Sequence, residues 1–426
     1  MSAAATNDRE FYHRLLDCGV ELAVDRLEQR DTVALCLRML VGVVDDPPDL
    51  VGISSIVEQT LSKGTRNYDG RALADAFDAL GAEWATSSGR QTTLLRVVCL
   101  PEFVLDVVEL AAEMFCRPTF PDEACQVAVQ LAIEELRHME DDPHALLRRD
   151  LQRITLGPLL GRHPDGHEDT LPNITPEKVR QHWRNTYHAG RLQVAAAGPI
   201  EPQALAARLE RCFAGLGRHD HHGRRDAEFV FAPARHHRPK QLEQQYIGLT
   251  LPGAPRGSQD FAAERVMIGV LSGGMSARLF TEVREKQGLV YWVAAWSEQP
   301  RGSGVIHVGA STTPENCQRT FDTIMRELRR LPGDLTDEET RRARDGLIAH
   351  LVTEDDLTRA RAGGLSDDLF YFSRPVGLDA HLAELRAVTR DDVARYAARV
   401  AQARPCIATV GPIELATAGT CPDAAS

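Results

Sequence analysis

Strands first, long helices next, a single late strand last: this order runs through the chain twice, and it constrains the fold more than any other feature. In the first pass residues 19–27 (GVELAVDRL) and 32–44 alternate and are rich in β-formers, and read as two strands joined by a turn around 29–31. A helix over about 50–62 ends at Lys63-Gly64, as a glycine C-cap would end it. A helix at 70–80, strands at 83–87 and 92–100, long helices at 101–115 and 121–139, a helix from Pro176, a strand at 192–197 and a helix at 202–216 follow. The second pass has a strand at 242–251, a helix at 259–271, a glycine turn, a helix at 276–286, and strands at 289–297 and 304–309. Helices at 314–331, 336–352 and 356–370, and one more before a strand at 406–410, complete it. Strands grouped with helices, rather than alternating strictly with them, argue an α+β fold with antiparallel sheets. The shared order implies two homologous domains, 1–217 and 241–426. Residues 218–240, crowded with His, Arg, Gly and Pro, read as an exposed linker whose histidines have no ordered element to fix a ligand geometry. The last dozen residues read as a frayed tail.

A chain of 426 residues is too long for one core, in agreement with two domains. The net charge of −12, with basic residues scattered singly, argues against a nucleic-acid surface and permits a basic peptide or partner. The nine cysteines are odd in number, widely spaced and without a CxxC pair, which implies reduced thiols rather than a disulfide framework. The first residues (MSAAATNDREFYHRLLD) lack a basic region followed by an apolar stretch, and the longest apolar run, 33–44, is interrupted by Arg38. No signal peptide and no membrane span are expected, and the expected location is the cytoplasm.

Two stretches carry chemistry. In the first, Gly52-Ile53-Ser54-Ser55-Ile56-Val57-Glu58-Gln59 leads to Lys63-Gly64-Thr65. It resembles the zinc helix of the insulinase/pitrilysin metallopeptidases, the family that includes the mitochondrial processing peptidases. There an inverted His-x-x-Glu-His motif precedes a Lys-Gly-Thr turn. Residues i and i+4 share one face of a helix, so two imidazoles at that spacing converge on one ion, and the glutamate before the second reaches a metal-bound water as general base. Aligned on Glu58, the histidine slots fall on Ser55 and Gln59. Neither a neutral hydroxyl nor an amide is a competent zinc ligand, so no metal is expected in this chain. The resemblance places the family's third ligand at Glu135 in LAIEELR and finds Ala128 where a further glutamate usually stands. His163 and His167, with Glu168, are separated by Pro164 and Gly166, which argues against a helix presenting both; His138 and His144 read as surface residues.

In the second stretch, Ser272-Gly273-Gly274-Met275-Ser276-Ala277-Arg278-Leu279-Phe280, then Val283-Arg284-Glu285-Lys286-Gln287-Gly288-Leu289-Val290-Tyr291, resembles the C-terminal domain of the same family. The glycine pair lacks the lysine of a P-loop and reads as a turn. Arg284 and Tyr291 match the family's Arg/Tyr pair, which projects across a chamber towards the zinc site. A guanidinium and a phenol can hold substrate carbonyls and stabilise an oxyanion. The competing structural reading makes Arg284 a helix-end ion pair and Tyr291 a sheet core residue. Trp292, Trp296 and residues 304–310 read either as a sheet edge open to strand addition or as ordinary packing.

The resemblance covers residues 15 to 411 and implies two α+β domains facing each other across a chamber. Lost histidines beside a retained Arg/Tyr pair imply the non-zinc-binding subunit of a heterodimeric zinc peptidase, inactive alone. A homologous partner with His-x-x-Glu-His would carry the zinc, and the substrate would be a peptide. The alternatives are an inert scaffold or peptide-binding subunit of a larger complex, and a peptidase with another metal arrangement.

Overall fold

The computed structural model describes residues 11–217 and 229–416; residues 1–10, the first part of the expected linker (218–228) and most of the expected tail lie outside the described residues. The first half forms β1 (Tyr12–Leu15), β2 (Glu21–Arg26), β3 (Val33–Met39), α1 (Ile53–Thr60), α2 (Gly70–Ala79), β4 (Glu83–Ser88), β5 (Thr93–Cys99), α3 (Val104–Cys116), α4 (Asp122–Met139), α5 (Pro143–Leu160), α6 (Pro176–Thr186), β6 (Leu192–Gly198) and α7 (Pro202–Phe213). The second forms β7 (Arg235–Pro239), β8 (Gln245–Pro252), α8 (Phe261–Ser272), a π-helical turn (Phe280–Glu285), β9 (Val290–Glu298), β10 (Val305–Thr312), α9 (Cys317–Asp334), α10 (Asp337–Glu354), α11 (Thr358–Phe372), α12 (Leu378–Ala387), α13 (Arg390–Gln402) and β11 (Cys406–Gly411).

Two sheets result, ordered β1-β2-β6-β3-β5-β4 and β7-β11-β8-β10-β9. With β1 set aside they match strand for strand. In each, the late strand runs parallel to its first neighbour and antiparallel to the next: β6 between β2 and β3, β11 between β7 and β8. The duplication read from the sequence is therefore present in the topology. The sheets are mixed rather than wholly antiparallel, and β2 and β3 are not a hairpin. The reason is β6 (LQVAAAG), whose every residue is buried and whose backbone needs a partner on each side.

Part of the expected linker is also corrected. Arg235–Pro239 is the edge strand β7. Its basic residues are anchored: Arg238 donates Nε and Nη2 to the Asp150 carboxylate at 2.7 and 2.8 Å, and His237 Nδ1 lies 2.9 Å from Thr409 Oγ1.

The compact units depart from the expected domain limits of 1–217 and 241–426. One comprises Met1–Ile133, His163–Arg225 and Val352–Leu378; the other Glu134–Arg162, Asp226–Leu351 and Asp379–Ser426. Each thus contains one helix from the opposite half of the sequence. In the first unit α11 covers a face of small residues, with Ala362, Leu365 and Leu369 on Ala23, Ala34, Cys36, Ala195 and Ala197. Small side chains on a strand let a helix approach closely. Arg38, which interrupts the apolar run of β3, is buried under this helix. It donates to Ser366 Oγ (2.9 Å) and Asp367 (2.5 Å) and lies over the Phe370 ring at 4.9 Å.

In the second unit α5 sits the same way, with Leu146, Leu147 and Leu151 on Ala408 and Val410. The opposite face of that sheet (Ile247, Leu249, Ile306, Val308) packs on Val266 and Val270 of α8, Phe321 and Ile324 of α9, and Val393 and Val400 of α13. Cysteines among the described residues are free thiols, and no described helix is long and apolar enough to cross a membrane.

Glu264 on α8 is wholly buried and accepts from the Ala254 amide (2.5 Å), Gln299 Nε2 (3.2 Å) and the Tyr396 hydroxyl. Burial pushes its carboxyl up to about 7, against those hydrogen bonds. A folded-state value above the unfolded one means that this group's stabilisation is complete below pH 4.5 and is lost as pH rises through 7. The urea midpoint should therefore fall from pH 5 to 8, with an associated change on the order of 3 kcal/mol. Glu264→Gln should flatten that fall, and an unchanged slope in the variant would refute the assignment.

Candidate functional site

The α1 helix starts at Gly52, whose φ of 105° and proximity to Gly166 (2.8 Å from an added Cβ to its Cα) leave no room for a side chain. Its free amides are met by the buried Asp46, which accepts from Gly52 N (2.7 Å), Ser54 N (3.2 Å) and Ser54 Oγ (2.5 Å). Ser54 Oγ also lies 3.0 Å from His182 Nε2 on α6. Burial raises the Asp46 carboxyl to about 7, and burial with the charge of Arg191 lowers His182 to about 4. The sequence reading missed this anchor. Its only trace was a turn-forming Asp45-Asp46-Pro47-Pro48 before the helix and a histidine on the buried side of α6.

The helix so fixed carries Ser55, Glu58 and Gln59. Gln59 Nε2 donates to Ser55 Oγ at 3.3 Å, so the two positions that would hold imidazoles are bonded to each other. An amide donor on a neutral hydroxyl does not fit a zinc ion. Among the described residues no group of three or more His, Cys, Asp or Glu is placed to hold a metal. Glu58 is buried, and burial pushes its carboxyl above the usual range, against a hydrogen bond from Thr86 on β4. Asp165 repels it further and Lys63 offsets part of this. Glu135 is exposed on α4 and falls in the second compact unit, and Ala128 on the same helix is buried. His163 and His167 stand in turns, each Nδ1 facing a nearby backbone amide, of Asp165 and Asp169.

In the second unit both expected donors sit on irregular backbone. Residues 276–286 are not a plain α-helix. A turn leads into the π-helical Phe280–Glu285, closed by Lys286 N to Thr281 O at 2.9 Å. Such turns re-aim side chains and are frequent at functional sites. Arg284 projects from it, exposed, its guanidinium carbon 5.0 Å from the Phe280 ring centre. Among the described residues no carboxylate pairs with Arg284, so it is not the helix-end ion pair of the structural reading.

Tyr291 occupies a β-bulge. Val290 pairs with Thr312 and Trp292 with Ser311, leaving Tyr291 as the extra residue. It is 64% exposed and is not a sheet core residue. β9 is the sheet edge, as read for Trp292 and Trp296; β10, which contains most of 304–310, is interior.

Residues 21–161 match the model described as Insulinase (Peptidase family M16), and residues 173–347 match Peptidase M16 inactive domain. Proteins named uncharacterized zinc protease are similar throughout. One from Streptomyces coelicolor is 27% identical over 410 residues, covering 93% of this chain and 88% of that protein. One from Bacillus subtilis is 25% identical over 400 residues, covering 92% and 96%. A peptidase M16 inactive domain structure from Pseudomonas fluorescens superposes with a TM-score of 0.84 at 20% identity, over 96% of this chain and 99% of that one. A protease from Helicobacter pylori does so at 0.86 and 17%, over 95% and 100%. Two adjoining family matches, full-length relatives and a shared two-sheet fold lead to one assignment: the chain belongs to the insulinase (M16) peptidase family.

Proposed function

We propose that this chain is the non-zinc-binding subunit of a heterodimeric zinc peptidase. The observation that carries the reading is a contrast. The two histidine slots of α1 hold a neutral, mutually bonded Ser55–Gln59 pair, while Arg284 and Tyr291 are exposed on a π-turn and a bulge. The relatives' names include a zinc protease, yet this chain's own α1 offers zinc no ligand pair. Hydrolysis would then need a homologous partner bearing His-x-x-Glu-His and the zinc. Arg284 and Tyr291 would donate to a carbonyl of the bound peptide and to the negative charge that develops on it. The buried Glu58 would have no zinc-bound water of its own chain to act on, and so no base role here. Glu135 would be a relic of the ligand set. The expected location is the cytoplasm.

Two measurements on the purified full chain test this. Metal analysis should give far less than one zinc per chain, and affinity purification from the native host should recover a homologue with an intact His-x-x-Glu-His helix. Stoichiometric, chelator-resistant zinc in the isolated chain would overturn the reading. Recovery with a larger assembly that lacks peptidase activity would point to the scaffold alternative.

A further inference from the structure

Arg284 and Tyr291 are held by one short segment of chain. Gly288 N donates to Arg284 O at 3.0 Å, and Gly288 turns the backbone with a φ of 60°, a left-handed conformation that suits glycine. Leu289 then uses its two backbone groups on two different elements. Its N–H donates to Val283 O of the π-helical turn at 3.1 Å, and its carbonyl accepts from Thr312 Oγ1 of β10 at 2.5 Å. β10 ends at Thr312, whose partner on β9 is Val290. Past that pair the ladder stops, and a threonine hydroxyl supplies the donor that the buried Leu289 carbonyl needs.

Behind Thr312 stands the first turn of α9. Thr320 Oγ1 donates to Thr312 Oγ1 at 3.1 Å, and both threonines are wholly buried. A hydroxyl has one proton, and Thr312 gives its own to Leu289, so Thr320 is the donor of this pair. The neighbouring Arg319 Nη2 donates to Gln287 Oε1 at 3.3 Å, and Gln287 Nε2 to Glu282 O at 2.9 Å. The π-turn is thus tied to the same helix by a second route.

Tyr291 has no such tie of its own. It is 64% exposed, and among the described residues its hydroxyl makes no hydrogen bond. Where the phenol stands is therefore decided by the backbone on either side of it. Side chains alternate between the faces of a strand, so a bulge displaced by one residue would send the phenol to the other face. We propose that Thr312, backed by Thr320, is a positioning residue. Its bond to the Leu289 carbonyl pins the bulge at Tyr291 and links the phenol to the turn that carries Arg284, so the two donors are set as one unit. Its part in hydrolysis rests on the half-site reading above, whereas the pinning of the bulge is a property of this chain alone.

The pinning is read first, on the full chain without a partner, by fluorine NMR of protein containing fluorotyrosine. The Tyr291 resonance is identified by its loss in Tyr291→Phe. Thr312→Val, which keeps the shape and removes the hydroxyl, should shift or broaden that resonance, and Thr312→Ser should leave it in place. In the assembled pair, Thr312→Val should lower kcat about tenfold with KM little changed, because a displaced donor is lost to the developing charge and not to ground-state binding. Thr312→Ser should restore most of the loss. Added to Tyr291→Phe, Thr312→Val should cost no more than about twofold further, since the group through which it acts is already gone. Thr320→Val, which removes only the donor behind, serves as a second variant if Thr312→Val fails to fold. An unmoved Tyr291 resonance overturns the proposal, and so does an equal loss of kcat with and without the Tyr291 hydroxyl. A shifted resonance with full activity in both Thr312→Val and Tyr291→Phe would keep the pinning and sink the half-site reading alone.

Discussion

Arg284→Ala is expected to lower the kcat/KM of the assembled pair by about a hundredfold, the usual loss when one preorganised oxyanion donor is removed. Tyr291→Phe should cost about tenfold or more, since it deletes one hydroxyl donor and leaves the ring. Neither change should alter the melting temperature by much. Arg284 is exposed with only the Phe280 ring beneath it, and Tyr291 sits outside the ladder in a bulge. The two readouts together are decisive. Lost activity with an unchanged melt and intact assembly identifies donors that act on the substrate. Full activity in both variants would make the chain a scaffold. Arg284→Lys should recover only part of the loss, because an ammonium keeps the charge but not the planar fork of donors.

Asp150→Ala is expected to destabilise the second unit by about 3 kcal/mol. The carboxylate is 1% exposed and takes both forks of Arg238, with His236 at 3.4 Å and Arg153 at 3.8 Å. Removing it leaves Arg238 without its partner and frees β7 from α5. Arg238 keeps partial access to water, which holds the loss near the lower end for a broken buried pair. Urea unfolding followed by circular dichroism measures it. Asp150→Leu combined with Arg238→Met should recover much of the loss, because a matched apolar pair leaves no stranded charge. A shift below about 1 kcal/mol in the single variant would show that β7 is held by its backbone ladder alone.

The π-turn at Arg284 and the bulge at Tyr291 mark where local sequence reading stops. The run Phe280 to Lys286 has ordinary helical composition, and Val290 to Glu298 is rich in the β-branched and aromatic residues of a strand. One extra residue in each element comes from how its ends are tied: Thr312 Oγ1 donates to Leu289 O at 2.5 Å, and Leu289 N to Val283 O at 3.1 Å. The first of these joins residues from different elements that lie 23 positions apart, so no short window of sequence contains it. The same holds for Ser54 on α1, whose partner His182 is 128 positions along the chain.

The missing histidines needed no structure. Ligand chemistry is a property of residue type, and Ser55 and Gln59 lack it wherever the helix lies. The order of elements was equally local, because capping residues, apolar period and glycine turns act within a few positions, and so the duplication could be read directly. The tertiary structure decided which partner each buried face would meet. It threaded β6 between β2 and β3, turned a basic stretch of the expected linker into β7, and placed α5 on the second sheet and α11 on the first. Periodicity states that a face is apolar, but an alanine-rich strand accepts any helix of matching shape. The exchange is settled by long-range packing and by part-buried ion pairs such as Asp150 with Arg238 and Arg38 with Asp367.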